Sequence, residues 1–135
     1  MAARLTDQQR RDRELSEDEF RKQVNEVATL YGWEFMFVKP LRAAGGIWKT
    51  PTFGTIGKGW PDTMFVKVGK NGSRILFVEF KRELGKVEPD QERVLGYLRG
   101  LEQPHGWIAD MFAVIVEVHI WRPSDFDTIV EVLSA

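Results

Sequence analysis

The sequence predicts a mixed α/β (α+β) domain, one β-sheet flanked by helices, with elements in the order α-β-β-β-α-β-α. Three observations predict this. Apolar residues recur at helical spacing downstream of Ser16 and of Pro89. Strand-length runs of β-branched and aromatic residues lie around and between those stretches. Turn-forming residues separate the runs, Asn71-Gly72 most sharply. At 135 residues the chain is sized for one domain, placed at residues 15–135 behind a flexible arm of residues 1–14.

Each element has its own signal. Residues 1–14 lack apolar periodicity, hence the frayed arm. Ser16 reads as an N-cap, with Glu19 completing a capping box. Phe20, Val24, Val27, Ala28 and Tyr31 then carry a helix to about Tyr31, where Gly32 stops it. Trp33–Lys39 is aromatic and β-branched, a strand. Pro40–Trp60, rich in Gly, Pro and Thr, is either a long loop or a loop with a short strand around Thr52–Ile56. Loops of this length in a small domain are usually functional. Asp62–Val68 and Arg74–Lys81 are strands joined through Asn71-Gly72. Pro89 starts a helix, where its missing N–H costs nothing. Val94, Leu95, Leu98 and Leu101 give that helix its apolar face, and it ends near Gly100. A turn at residues 102–106 leads to a strand within Met111–Trp121, ended by Arg122-Pro123-Ser124, and Ser124 caps a last helix over Asp125–Leu133.

Composition narrows the function. No run approaches the roughly 20 apolar residues that cross a bilayer, and the polar N-terminus lacks the apolar core of a signal peptide. With no cysteine there is no disulfide framework and no thiolate metal site, so a reducing cytoplasm is expected. His105 and His119 lie far apart in sequence, which argues against a histidine-pair zinc site. The net charge of −1 hides an asymmetry. From Lys39 to Lys86 ten Lys or Arg residues (39, 42, 49, 58, 67, 70, 74, 81, 82, 86) face three acids (62, 79, 83). A basic centre with acidic flanks suits a phosphate-facing surface, or simply a solvated one.

The hairpin carries the chemistry. With Asn71-Gly72 as a two-residue turn, Lys70 faces Ser73, Asp62 faces Lys81 and Met64 faces Glu79. Asp62, Glu79 and Lys81 then share one face of the sheet. Charged side chains at the end of the run ILFV need partners or a metal. A strand-end salt bridge is one account. The other is a divalent cation held by the two carboxylates, since Mg²⁺ takes one or two carboxylates and leaves its other positions to water and phosphate. Such a cation acidifies water and stabilises phosphate charge, and Lys81 beside it can assist. Gln91 is polar on the apolar stripe of its helix, free to cap the helix or to bond a metal water or phosphate oxygen. Glu17 points toward the buried face at the start of the first helix, with Glu19 and Glu26 as competitors.

These residues form a recognisable ordered set. Gly59-Trp60-Pro61-Asp62, the hairpin, Glu79-Phe80-Lys81 and Gly85-Lys86-Val87-Glu88-Pro89-Asp90-Gln91 resemble the PD-(D/E)XK nuclease superfamily, and within it the VRR-NUC group, including its small stand-alone phage-encoded members. The resemblance runs from about Glu17 to Leu133. It implies a restriction-endonuclease-like mixed sheet flanked by helices and a Mg²⁺ or Mn²⁺ cofactor. It implies Asp62 and Glu79 as metal ligands, with the Phe80 backbone carbonyl beside them. Lys81 matches the catalytic lysine, Gln91 the glutamine of the following helix and Glu17 the acid of the first. It also implies cleavage of branched or structured DNA, Holliday junctions or flaps, by a homodimer. The segment 40–58 is longer than the connection in small members.

That long segment combines Arg42, Lys49 and Lys58 with Trp48, Phe53 and Trp60. Cations meet phosphates and aromatics stack on unpaired bases; alternatively the aromatics form a satellite core or a dimer interface. With Lys39, Arg82 and Lys86, these cations are the candidate nucleic-acid contacts. Two function readings follow: a metal-dependent DNA endonuclease, and a non-catalytic nucleic-acid-binding or assembly module on the same scaffold.

Overall fold

A computed structural model describes residues 3–70, 72–102 and 114–135. Helix α1 (Asp7–Glu14) starts at a reciprocal box: Gln9 N–H donates to Thr6 Oγ1 at 3.1 Å and Thr6 N–H to Gln9 Oε1 at 2.8 Å. Much of the expected frayed arm is therefore helical. Polar pairs one turn apart, Asp7 with Arg10 and Gln8 with Asp12, support it, and apolar periodicity is blind to those. The helix lies against the turn at Pro123–Asp125.

Ser16 caps helix α2 (Glu17–Leu30), its Oγ accepting from Glu19 N–H at 3.1 Å and donating to Glu19 Oε1 at 2.9 Å. The Glu19 carboxylate thus bonds the cap hydroxyl rather than the cap backbone. Gly32, at φ 82°, turns the chain out of the helix into strand β1 (Glu34–Phe37). The 40–60 segment holds a small hairpin, β2 (Leu41–Arg42) with β3 (Trp48–Lys49), closed by a 3₁₀ turn at Ala44–Gly46. The strand considered around Thr52–Ile56 does not form.

Strands β4 (Thr63–Gly69) and β5 (Gly72–Phe80) are antiparallel, helix α3 (Pro89–Arg99) crosses over, and β6 (Val114–Trp121) returns parallel to β5. The order in the sheet is β1-β4-β5-β6. Helix α4 (Phe126–Ser134) follows a 3₁₀ turn at Pro123–Asp125. Ser124 does not cap it; its N–H donates instead to Glu83 Oε2 at 2.9 Å. The expected strand residues Met111–Ala113, the turn residues 103–106 with His105, and Asn71 lie outside the described residues.

The strand period sorts side chains into two cores. Phe65, Leu76, Val78, Phe80 and Trp121 pack against α2 (Phe20, Val24, Ala28) and α4 (Ile129, Leu133). Phe77, Val118 and Met64 pack on the other face against Val94, Leu95 and Leu98 of α3. Among the described residues the fold is thus mixed α+β: four helices and a four-stranded mixed sheet, plus the small hairpin.

The β4–β5 register corrects the expected pairing. Gly69 faces Gly72, Val68 faces Ser73 and Thr63 faces Val78. The turn lies one residue earlier than Asn71-Gly72, and each β4 residue faces a β5 partner two positions before the expected one. A shift of two preserves which face every side chain occupies; a shift of one would have reversed it. No helix among the described residues is long and apolar enough to cross a membrane.

Candidate active site

Pro61, buried, delivers Asp62 to the start of β4, where the Asp62 carbonyl accepts from Val38 N–H at 2.9 Å. One step before Thr63↔Val78, the register sets Asp62 level with Glu79 rather than Lys81. The two residues are tied directly. Asp62 N–H donates to Glu79 Oε2 at 3.2 Å, and Phe80 N–H donates to Asp62 Oδ2 at 2.8 Å. Glu79 and Lys81 are 2% and 7% exposed, with Lys81 Nζ 3.7 Å from Glu79 Oε1. All three belong to the sheet face that packs against α3.

Gln91 completes the group. Its Oε1 accepts from Glu88 N–H at 2.9 Å, so its Nε2 donates to Glu79 Oε1 at 2.8 Å. One amide both caps the helix and holds the carboxyl. Gly59 brings the loop down on the same helix turn. At φ 102° a Cβ there would sit 2.3 Å from the Asp90 carbonyl oxygen, so only glycine fits. Arg93 reinforces the contact by donating to the carbonyl of Ile56.

Burial dominates the electrostatics. It raises the Glu79 pKa to about 8, with the adjacent Asp62 charge adding and Lys81 only partly opposing. Burial likewise raises Asp62, against the Phe80 N–H, and the Glu17 carboxylate adds to the rise. Two adjacent buried carboxyls that resist ionising together in a cavity are a candidate functional site.

No family model matches the chain, and neither a curated protein nor a solved structure matches it. Its chemistry rests on its own residues.

Asp62, Glu79, Lys81 and Gln91 line one cavity of about 940 Å³ together with Glu17 and the 40–60 loop. Glu17 is exposed at its rim, on the first turn of α2. Arg42, Lys49 and Lys58 also line it; Lys39, Arg82 and Lys86 are exposed elsewhere. The Phe80 ring lies in the opposite core, 5.4 Å from Phe20 and 6.0 Å from Trp121 between ring centres, so only its backbone faces Asp62. Sequence reasoning missed Arg21. It is buried, paired with Asp18, with its guanidinium 4.5 Å over the Phe37 ring, and its charge favours ionised Asp62. Its position one helical turn after Glu17 was the available signal.

Among the described residues no three Asp, Glu, His or Cys side chains form a ready metal cage. Two hard-oxygen donors do adjoin, and Asp62 Oδ1 accepts from no other described residue. That set fits a magnesium-like ion, which keeps most of its shell for water and phosphate.

Proposed function

We propose that this chain is a metal-dependent DNA endonuclease of the PD-(D/E)XK kind, using Mg²⁺ or Mn²⁺ to hydrolyse phosphodiester bonds in branched or structured DNA, and acting as a homodimer. One observation carries the reading. Asp62, Glu79, Lys81 and Gln91 converge in a single cavity that Arg42, Lys49 and Lys58, which make no ion pair among the described residues, also line. Bound there, a divalent cation supplies charge stabilisation for the phosphate and a more acidic water. Asp62 and Glu79 are the side chains that would hold it, with the Phe80 carbonyl as the backbone donor. Phe80 N–H fixes the Asp62 carboxylate, and Gln91 fixes that of Glu79. Lys81, 3.7 Å from Glu79, would meet a phosphate oxygen or orient the attacking water.

The test is cleavage of labelled junction, flap, single-strand and duplex DNA in Mg²⁺ or Mn²⁺. Wild type should cut branched substrates, while Asp62→Ala and Lys81→Ala should lose at least about 100-fold, the scale of one transition-state contact. The lack of a third ligating side chain among the described residues favours the second reading, a non-catalytic nucleic-acid-binding module. Binding without cleavage in either metal would uphold that instead.

A further inference from the structure

The aromatic residues of the 40–60 loop divide into two kinds. Trp60 is half-buried and meets Phe77 edge-on at 5.7 Å, part of the core under α3. Trp48 and Phe53 do the opposite. They are 66% and 95% exposed, belong to neither core, and stack on no other ring among the described residues. Both nevertheless line the cavity that holds Asp62 and Glu79. A satellite core is therefore not what they build.

Among the described residues the charges around them are without an ion-pair partner as well. Arg42 faces Trp48 across the β2–β3 hairpin and Lys49 follows it, while Lys58 lies on the far stretch of the loop. None of the three makes an ion pair among the described residues. The loop is anchored at its base through Gly59 on the Asp90 carbonyl and Arg93 on the Ile56 carbonyl. Exposed flat rings between these cations, leading to a carboxylate pair, match one ligand chemistry: a polyanionic strand whose bases are not stacked in a duplex.

We propose that Trp48 and Phe53 are a stacking platform for unpaired bases, and that Arg42, Lys49 and Lys58 guide the attached phosphates toward Asp62 and Glu79. The substrate feature recognised is then a single-stranded stretch of DNA next to the cut, not the duplex arms that flank it. This deepens the nuclease reading and rests on it for the identity of the polymer. Base stacking tolerates any sequence, so the platform selects unpaired structure and leaves base identity unread.

The test is binding of the full chain to a short fluorescein-labelled deoxyoligonucleotide of mixed sequence, single-stranded or annealed to its complement, followed by anisotropy. It is done in EDTA, so the result does not depend on hydrolysis. Wild type should prefer the single strand. Trp48→Ala with Phe53→Ala should weaken single-strand binding at least about 10-fold and change duplex binding by less than about 2-fold. Trp48→Phe should restore most of the loss. Lys49→Ala with Lys58→Ala should instead lower the slope of log affinity against log salt for both DNAs. The positions are exposed, so the variants should melt as wild type does. Equal loss on both DNAs, or none, overturns the platform. So does a dimer that dissociates in the aromatic double variant while single-strand binding stays intact, which would make the patch an interface between copies. A wild type that cuts DNA while its aromatic variants bind normally sinks the platform alone; selective binding without cutting sinks the nuclease alone.

Discussion

Replacing Asp62 with Asn should stabilise the metal-free protein at alkaline pH while removing its response to metal. The folded-state pKa of Glu79 is raised from 4.5 to about 8, so folding favours its protonated form. The associated stability is complete below about pH 4.5 and is lost as pH climbs to about 8. At about 1.4 kcal/mol per unit, that rise bounds the loss at about 5 kcal/mol. Burial supplies most of it and Asp62 the next part. Two like charges 4 Å apart at an effective dielectric near 20 repel by about 4 kcal/mol. Lys81 opposes that repulsion, so about 1–3 kcal/mol is the expected recovery when the Asp62 charge goes. The fold should tolerate the change, because an Asn oxygen still accepts the 2.8 Å bond from Phe80 N–H. At about 3–5 °C per kcal/mol for a chain of this size, the melting midpoint should rise by about 3–15 °C near pH 9. Near pH 5, well below the Glu79 pKa of about 8, Glu79 is protonated and the two proteins should converge. Mn²⁺ at about 100 times its Kd should add about 2.7 kcal/mol to wild type and nothing to the variant. A variant that melts lower than wild type near pH 9, or gains equally from Mn²⁺, would refute the reasoning.

Other perturbations probe separate parts. Gln91→Leu leaves a Glu79 oxygen and the Glu88 N–H short of a partner; unfolding titrations should show a loss of about 2–3 kcal/mol, and cleavage should fall with it. Gly59→Ala places a methyl 2.3 Å from the Asp90 carbonyl in a left-handed conformation; it should cost about 2–4 kcal/mol, read by the same titration, with Gly57→Ala, in open space, costing less. Glu117 is pushed up by burial but pulled further down, to about 2, by His119, whose Nε2 lies 3.5 Å away, and by two bonds from the Arg74 guanidinium. Its contribution is present above about pH 4.5 and lost as pH falls toward 2, up to about 3 kcal/mol. Arg74→Met should flatten that acid limb in pH-dependent melts.

Much of the fold was legible because its signals are local. Ser16, Gly32, Pro89 and Gly100 mark helix ends where the structure puts them. Apolar spacing found most of the buried faces of α2 and α3, both set by tertiary packing, but Tyr31 and Leu101, placed on those faces, lie past the helix ends and are exposed. Helix α1 escaped because it is held by caps and polar pairs, and the β2–β3 hairpin because two-residue strands carry no periodicity.

The hairpin shows why three side chains can be placed on one sheet face from a wrong register. Asn71-Gly72 is the strongest local turn signal, yet the ladder closes at Gly69↔Gly72. Each β4 residue therefore faces a partner two positions earlier than turn chemistry alone suggests. Side chains alternate with period 2, so face membership depends only on whether the slip is odd or even. The packing of Phe65 and of Leu76, Val78 and Phe80 in the α2–α4 core forbids an odd slip, because it would move Phe65 out of that core relative to its partners. Core packing thus guarantees that Asp62, Glu79 and Lys81 share a face. It leaves open which of them are neighbours. That second fact sets the electrostatics: with Asp62 level with Lys81 the pair would be a salt bridge, whereas level with Glu79 it is a carboxyl pair raised by burial and mutual repulsion, with Lys81 3.7 Å from Glu79 only partly opposing.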